Sequence, residues 1–245
     1  PFDGPLAAAI QSLNVYGDLA LELSAWQQFG ALGSLIFTAI LIALLDPPRA
    51  RRIPDLAAAA AVAWLVCQVL KIVIGRPRPG YDDPGILLGP FGAYPLGPDV
   101  GIRHAWEVWA GISSHLWSMP SSHTASAAAL AIFLSVLYPR IKPVVVTLVV
   151  LVAFSRVLFD WHWPSDVAVG AAVGVMSGRA AVEHEWGQRL LARRALRTPA
   201  LPPSAEPFPR AAPFGAPTPA ATQADKERQS DRPNQANAGP LHSAP

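Results

Sequence analysis

At 245 residues the chain is 51% hydrophobic and only 15% charged, against about 25% charged in an ordinary soluble domain. That balance argues against a soluble globular protein and for an integral membrane protein, while a net charge of +2 says little by itself. The single cysteine, Cys67, excludes an intrachain disulfide.

No charged n-region followed by a cleavage site is visible, so no signal peptide is expected. Residues 5–27 interleave Gln11, Asn14, Asp18 and Glu22 with Leu and Ala, and read as an interfacial helix or a weak span. Five stretches then approach the roughly 20 helical residues that cross a hydrocarbon core. They are Phe29 to Leu45, Leu56 to Ile74, Ser121 to Tyr138, Val144 to Phe159 and Pro164 to Ala181. The fold expected is an all-α integral membrane bundle of five to six transmembrane helices.

Basic residues orient such a bundle, because cytoplasmic loops are enriched in Lys and Arg. If every strong segment crosses, Arg49, Arg51, Arg52, Arg140, Lys142, Arg179, Arg189, Arg193, Arg194 and Arg197 fall on one side. That side is expected to be cytoplasmic. Lys71, Arg76, Arg78, Arg103 and Arg156 fall on the other, with Trp26, Trp106, Trp109, Trp117, Trp161 and Trp163 at the same level. Eleven of the 26 prolines lie between residue 198 and the end, and that segment has too few large apolar groups to offset its chain entropy. The expected organisation is an N-terminal segment 1–28, a transmembrane catalytic domain 29–187, a basic juxtamembrane segment 188–197 and a disordered tail 198–245 on the cytoplasmic side.

The same crossing pattern brings three blocks to the outer level: Lys71 to Pro79, Pro120 to His123, and Ser155-Arg156 followed by His162 and Asp166. Ionisable residues beside membrane spans mark function by default. Lys71 and Arg78 are seven apart and would share a helix face, with Gly75, Pro77 and Pro79 loosening the second turn so that Arg78 swings toward the site. Arg offers a planar fork to phosphate oxygens and Lys a compact charge. Each alone would more often be snorkelling to the interface; together with the other blocks they read as phosphate ligands. Pro120-Ser121-Ser122-His123 has the form of a helix start, whose free N–H groups suit an anion. Its serine hydroxyls add donors, and His123 is placed to move a proton. Asp166, four residues after His162, can orient that imidazole and stabilise its protonated form. The other ring nitrogen is then free to attack phosphorus. With Lys71, Arg78 and Arg156 neutralising the phosphate oxygens, the scheme calls for no metal and no cofactor.

These blocks resemble the three signature motifs of the type 2 phosphatidic acid phosphatase (PAP2) superfamily: K-x6-R-P, P-S-G-H and S-R-x5-H-x3-D. Lys71 with Arg78-Pro79 matches the first, and Ser155-Arg156, His162 and Asp166 match the third. Pro120, Ser121 and His123 match the second, which departs at Ser122, where the family usually has Gly. Ser122 keeps its backbone N–H, so phosphate contact should survive in a narrower pocket. The resemblance spans roughly residues 56–181. It implies His162 as nucleophile, Asp166 as its orienter and His123 as general acid. Lys71, Arg78, Ser121, Ser122 and Arg156 would bind the phosphate. The family usually has a six-helix core, so either residues 5–27 supply a sixth span or the bundle is shorter. The loop 80–118, with Asp82, Asp83, His104, Glu107 and His115, is expected to set substrate choice.

The function expected is that of a membrane phosphatase, with its site on the extracytoplasmic face of the plasma membrane. Its substrate would be a lipid phosphate or diphosphate such as polyprenyl (di)phosphate, phosphatidylglycerol phosphate or phosphatidic acid. Membrane lipids are the partners; no nucleic acid is expected and the oligomeric state stays open. A vanadium haloperoxidase-like enzyme has a similar anion pocket, but such enzymes are generally soluble. A non-catalytic lipid-phosphate binder or transporter would not need both His123 and His162.

Overall fold

A computed structural model describes residues 2–80, 83–96 and 101–197. The tail 198–245, expected to be disordered, and Asp82 in the loop expected to set substrate choice lie outside the described residues. The chain is mostly helical. Its helices in chain order are α1 (Asp3–Gln11), α2 (Gly17–Trp26), α3 (Leu32–Leu45), the single turn α4 (Pro47–Ala50), α5 (Ile53–Ile74), the single turn α6 (Ser113–Leu116), α7 (Ser122–Leu137), α8 (Lys142–Leu158), α9 (Pro164–Glu183) and α10 (Trp186–Arg197). A two-stranded antiparallel ribbon, β1 (Tyr94–Pro95) and β2 (Ile102–Arg103), lies in the long connection between α5 and α6.

Two helical stretches, Ile53–Ile74 and Pro139–Leu158, are long and apolar enough to cross a membrane. Gly17–Gly30 with Leu32–Leu45 makes a third if the two, bent by 66°, count as one span. The α7 helix is apolar but shorter, and α9 is diluted by Gly and Ser. Large apolar side chains point outward on α3, α5 and α8: Phe37, Leu44, Trp64, Leu65, Val69, Val144 and Val150 are all more than half exposed. Exposed apolar area of this extent belongs against lipid rather than water.

What the helices bury against one another is small. Ala59 and Ala63 of α5, Ala129 of α7 and Ala181 of α9 are fully buried together. On α9, Gly170, Gly174 and Gly178 form a stripe at four-residue spacing against α7. A Cβ added at Gly174 would stand 2.1 Å from the Ala125 carbonyl oxygen, and one at Gly170 2.5 Å from that of Ser121. Hydrophobicity alone does not drive helices together in lipid, so small residues that let backbones approach supply much of the attraction. A larger apolar cluster of Leu35, Ile42, Leu56, Leu130, Phe133, Leu134 and Val145 closes the half of the bundle away from the sequence blocks.

Residues 5–27 are two helices, not one. The chain breaks between α1 and α2, where Asn14 takes a positive φ of 45°, a conformation Asn tolerates better than most residues. Ala7 of α1 packs on Val157 and Trp163, and the Leu23 carbonyl of α2 accepts a hydrogen bond from Ser155 Oγ at 3.4 Å. At the far end, fully buried Asp55 accepts from the backbone N–H groups of Gly187 and Gln188 at 2.9 and 3.2 Å. Arg52 Nε lies 3.0 Å from the same carboxylate. A carboxylate at a helix N-terminus satisfies otherwise orphan donors, and this one pins α10, part of the stretch expected to be a basic juxtamembrane segment, to the start of α5.

The α7–α9 contact generates a stability prediction. Gly174→Val should cost about 1–3 kcal/mol or more through overpacking, seen as a lower thermal midpoint in detergent. Gly33→Ala, where a Cβ meets nothing within 4 Å, should leave the midpoint unchanged or raise it, since Ala favours a helix interior by up to about 1 kcal/mol. A wild-type midpoint for Gly174→Val would contradict the close approach.

Candidate active site

Four helix ends meet at one end of the bundle: the C-termini of α5 and α8 and the N-termini of α7 and α9. Hydrogen bonds to backbone carbonyls lock them, with Ser121 N donating to that of Asp166 at 3.0 Å and the Trp163 indole Nε1 to that of Pro77 at 3.1 Å. The three sequence blocks therefore do come together.

Lys71 is buried in the last turn of α5. The helix stops at Ile74 because Gly75 adopts the left-handed conformation at φ 54°, with its N–H returning to the Lys71 carbonyl at 3.0 Å. This is a common glycine termination, and a Cβ there would sit 2.3 Å from the Gly89 carbonyl oxygen. The expectation that Lys71 and Arg78 share a helix face is therefore corrected. Arg76 to Pro79 are non-helical, and Arg78 arrives along a loop held by Arg78 N donating to the His115 carbonyl at 2.8 Å. Lys71 nevertheless feels the charges of both Arg78 and Arg156.

Ser121 is the N-cap of α7, so Pro120 lies just outside the helix rather than in its first turn. Ser121 is fully buried and its Oγ accepts from Thr124 Oγ1 at 3.0 Å. The Ser122 Oγ is buried beside the Cys67 thiol, next to the free N–H groups of a helix start. Packing is tight on the far side, where a Cβ on Gly30 would stand 2.2 Å from the His123 carbonyl oxygen.

Arg156, in the last turn of α8, donates from Nη1 to Gln27 Oε1 at 3.0 Å. Its guanidinium lies 5.4 Å from the Trp161 ring centroid, and that of Arg78 lies 5.5 Å from the same ring. One exposed indole thus holds two guanidinium groups by cation–π attraction. The chain reverses between α8 and α9 through Asp160, at φ 61°, and the N–H groups of Trp161 and His162 both return to the Arg156 carbonyl at 3.1 Å.

That reversal delivers His162, 2% exposed, four residues before Asp166. Asp166 is wholly buried and its carboxylate is fully engaged. Oδ1 accepts from Arg76 Nη1 at 2.6 Å. Oδ2 accepts from Trp163 N at 2.9 Å and from Ser118 Oγ, and faces His162 Nδ1 at 3.6 Å. The last contact is long for a hydrogen bond, as catalytic contacts often are before a substrate binds. Burial pulls the His162 imidazole down to about 4 from its ordinary 6.5, and Arg156 and Arg78 push the same way while Asp166 opposes them. Arg156, Lys71 and Arg78 also act on His123, so both imidazoles sit in one field of cations. Among the described residues no group of three or more His, Cys, Asp and Glu side chains gathers as a metal-ligating set would.

Beside His123 a groove of about 450 Å³ runs between α3, α5 and α7, lined by Gly30, Leu32, Leu35, Trp64, Ser122 and Ser126 among others. Leu32 and Trp64 are 70% and 57% exposed, so the groove opens sideways on the apolar flank. Above the bundle, the loop expected to set substrate choice folds around Tyr94, Ile112 and Leu116. Its Asp83 accepts from Gly85 N at 2.7 Å, and Glu107 faces His104 at 3.5 Å.

Several residues at this centre carried no role in the sequence reading: Arg76, Ser118, Gln27 and Asp3; Trp161, read there as an interfacial residue beside His162, also stacks on two guanidinium groups. Arg76 stood out only as a second cation in the first block. Asp3 and Gln27 lie far from every block and offered no signal.

Comparison with known proteins agrees with this geometry. Residues 54–189 match the PAP2 superfamily. Over 163 residues the chain is 34% identical to the decaprenylphosphoryl-5-phosphoribose phosphatase of Mycobacterium tuberculosis, covering 66% of this chain and 77% of that protein. It is 27% identical over 196 residues to a lipid A 1-phosphatase of Rhizobium johnstonii, covering 71% of this chain and 69% of that one. The fold resembles the crystal structure of Aquifex aeolicus LpxE, at a TM-score of 0.54, 21% identity and coverage of 75% and 96%. It also resembles a transmembrane PAP2-type phosphatidylglycerolphosphate phosphatase of Bacillus subtilis, at 0.53, 20%, and 74% and 83%. With the family's motifs gathered at one end of a helical bundle and more than half of the chain matched, this protein belongs to the PAP2 superfamily.

Proposed function

We propose that this protein hydrolyses a lipid phosphate or lipid diphosphate at the outer face of the plasma membrane, through a phosphohistidine formed on His162. That it is a phosphatase of the PAP2 type follows from its family and relatives. The observation that carries the finer reading is the convergence of Arg78 and Arg156 on two imidazoles, with Lys71 acting on His123 and the buried carboxylate of Asp166 backing His162.

In this reading the phosphate sits among Lys71, Arg78 and Arg156, with Ser121 and Ser122 contributing from the start of α7. The cations mutually repel when the site is empty, and an anion removes that repulsion. Neutral His162 attacks phosphorus through Nε2 while the bond to the lipid oxygen breaks, and His123, protonated once the negative charge of the bound phosphate offsets the surrounding cations, gives that oxygen its proton and becomes neutral. The ring becomes cationic at Nδ1, where Asp166 stabilises it. Water then attacks the phosphohistidine, His123 takes its proton, and inorganic phosphate leaves. The cations stabilise the charge spread over the equatorial oxygens.

A lipid suits this site because the groove beside His123 opens on the apolar flank, so a tail can remain in the bilayer. Polyprenyl phosphates, phosphatidylglycerol phosphate, phosphatidic acid and lipid A are the classes to compare, the relatives' names pointing to polyprenyl-linked sugar phosphate and lipid A. We place α3, α5, α7, α8 and α9 across the membrane as five spans within a catalytic domain of residues 29–187, with 1–28 packed on its outer end. Arg49, Arg51, Arg52, Arg140, Lys142 and Arg189 lie at the end away from the site, which favours that end, with the basic segment 188–197, as cytoplasmic.

Three measurements test this reading. His162→Ala, folded in detergent, should release phosphate from every lipid phosphate at least about a thousandfold more slowly than wild type, as loss of a nucleophile does; wild-type turnover would sink the mechanism. Arg156→Ala removes a charge-assisted contact of about 1.5–3 kcal/mol and should raise KM roughly ten- to a hundredfold at unchanged thermal midpoint. An unchanged KM would remove Arg156 from the phosphate site. Histidine-selective NMR, assigned with His162→Gln, should find the His162 titration near 4 and well under 6.5. Folding then favours the neutral ring, so its contribution to stability is complete above pH 6.5 and is lost as pH falls toward 4. A midpoint at or above 6.5 would contradict a buried, neutral nucleophile.

A further inference from the structure

One arginine at this centre is not spent on phosphate. Arg76 is 3% exposed, and both of its terminal nitrogens are occupied. Nη1 donates to Asp166 Oδ1 and to Ser165 Oγ, each at 2.6 Å. Nη2 donates to Asp3 Oδ2 at 2.6 Å and to the Pro84 carbonyl at 2.5 Å, while the guanidinium carbon lies 5.7 Å from the Trp163 ring centroid. Asp3 in turn accepts from Ser165 N at 2.8 Å and from Ser165 Oγ at 2.5 Å. One guanidinium therefore joins two carboxylates, one on the first turn of α9 and one on α1, outside the residues 54–189 that match the family.

We infer that Arg76, held by Asp3 of the N-terminal helix, is a positioning residue that fixes the Asp166 carboxylate so that Oδ2 faces His162 Nδ1. The inference rests on the phosphatase reading in taking His162 and Asp166 as the working pair. A carboxylate can rotate about its last bond. Here Arg76 takes one oxygen while Ser118 and Trp163 N hold the other, and the rotation is blocked. The planar fork matters as much as the charge, because it spans Asp166 and Asp3 at once, which a lysine ammonium cannot reproduce. The charge matters too. Asp3, Arg76 and Asp166 carry a net single negative charge beside a ring that becomes cationic during turnover, with Arg156 and Arg78 facing the same ring. The N-terminal helix is thus part of the active site's support.

The test uses the full chain in detergent, with Arg76→Lys, Arg76→Gln and Asp3→Asn. Asp3→Asn leaves the Arg76–Asp166 pair in place and so remains informative if either Arg76 variant fails to fold. In folded variants kcat should fall about 10–100-fold, as losses behind a functional ligand typically do, with KM for the lipid phosphate within about twofold of wild type. The His162 titration should move up in Arg76→Gln, where a cation is lost, and stay near wild type in Arg76→Lys. Wild-type kcat in folded Arg76→Lys and Asp3→Asn would overturn the inference, as would a loss confined to KM, which would make Arg76 a phosphate ligand. If wild type releases no phosphate from any lipid phosphate, the phosphatase reading fails. The imidazole still decides the positioning: loss of the Nδ1–H tautomer of His162 in folded Arg76→Lys, where the charge is kept, supports it, and a wild-type tautomer there overturns it.

Discussion

A carboxylate with no solvent exposure sits at the junction of the α7 and α9 helices, and most of that end of the bundle is arranged around it. An ionised carboxylate away from water is costly unless every lone pair is met. Asp166 meets that demand with a guanidinium, a hydroxyl, a backbone N–H and an imidazole, drawn from the loop after α5, the turn before α7 and the connection into α9. Satisfying one buried charge therefore brings together segments far apart in the chain. The same carboxylate faces His162 Nδ1 at 3.6 Å, so in the proposed mechanism structural necessity and chemical use meet in one residue.

The arginines divide by what they face. Arg52 and Arg76 are paired with carboxylates and fasten helix ends at opposite ends of the bundle. Arg156 is met by an amide oxygen and an indole ring, neither of which neutralises it. Neutral partners hold a guanidinium in place without satisfying its charge, which leaves it available to an anion. Backbone approach makes this possible. Without the glycines of α9 against α7, Ser121 N would not reach the Asp166 carbonyl, and the second and third motifs would not share a site.

Much of this was legible beforehand. The five apolar stretches correspond closely to α3, α5, α7, α8 and α9, because length and hydropathy are local properties. Motif spacing brought Lys71, Arg78, Ser122, His123, Arg156, His162 and Asp166 to one end. Local rules failed where a single backbone angle or a distant partner decided the outcome. Gly75 ends α5 before Arg78, so a spacing that suggested one helical face describes a helix end and a loop instead. Asn14 splits the N-terminal segment into two helices. Asp3, Gln27 and Ser118 have no periodicity or motif of their own; the first two contribute only once α1 and the turn after α2 pack on α9 and α8, and Ser118 only once the turn before α7 meets Asp166. Ser122, standing where the family usually has glycine, presents a buried hydroxyl beside the Cys67 thiol, which side-chain identity alone could not assign to the site or to the helix.

The central claim is that phosphate passes through a covalent bond to His162, and trapping that bond tests it most directly. Detergent-solubilised protein would be mixed with radiolabelled lipid phosphate, quenched within a turnover in alkali, where phosphohistidine persists, and digested for mass spectrometry. The account predicts acid-labile phosphate on the peptide containing His162, absent in His162→Ala and still formed in wild type when divalent cations are chelated. Rapid single-turnover phosphate release with no label on His162, or label on an aspartate instead, would contradict it.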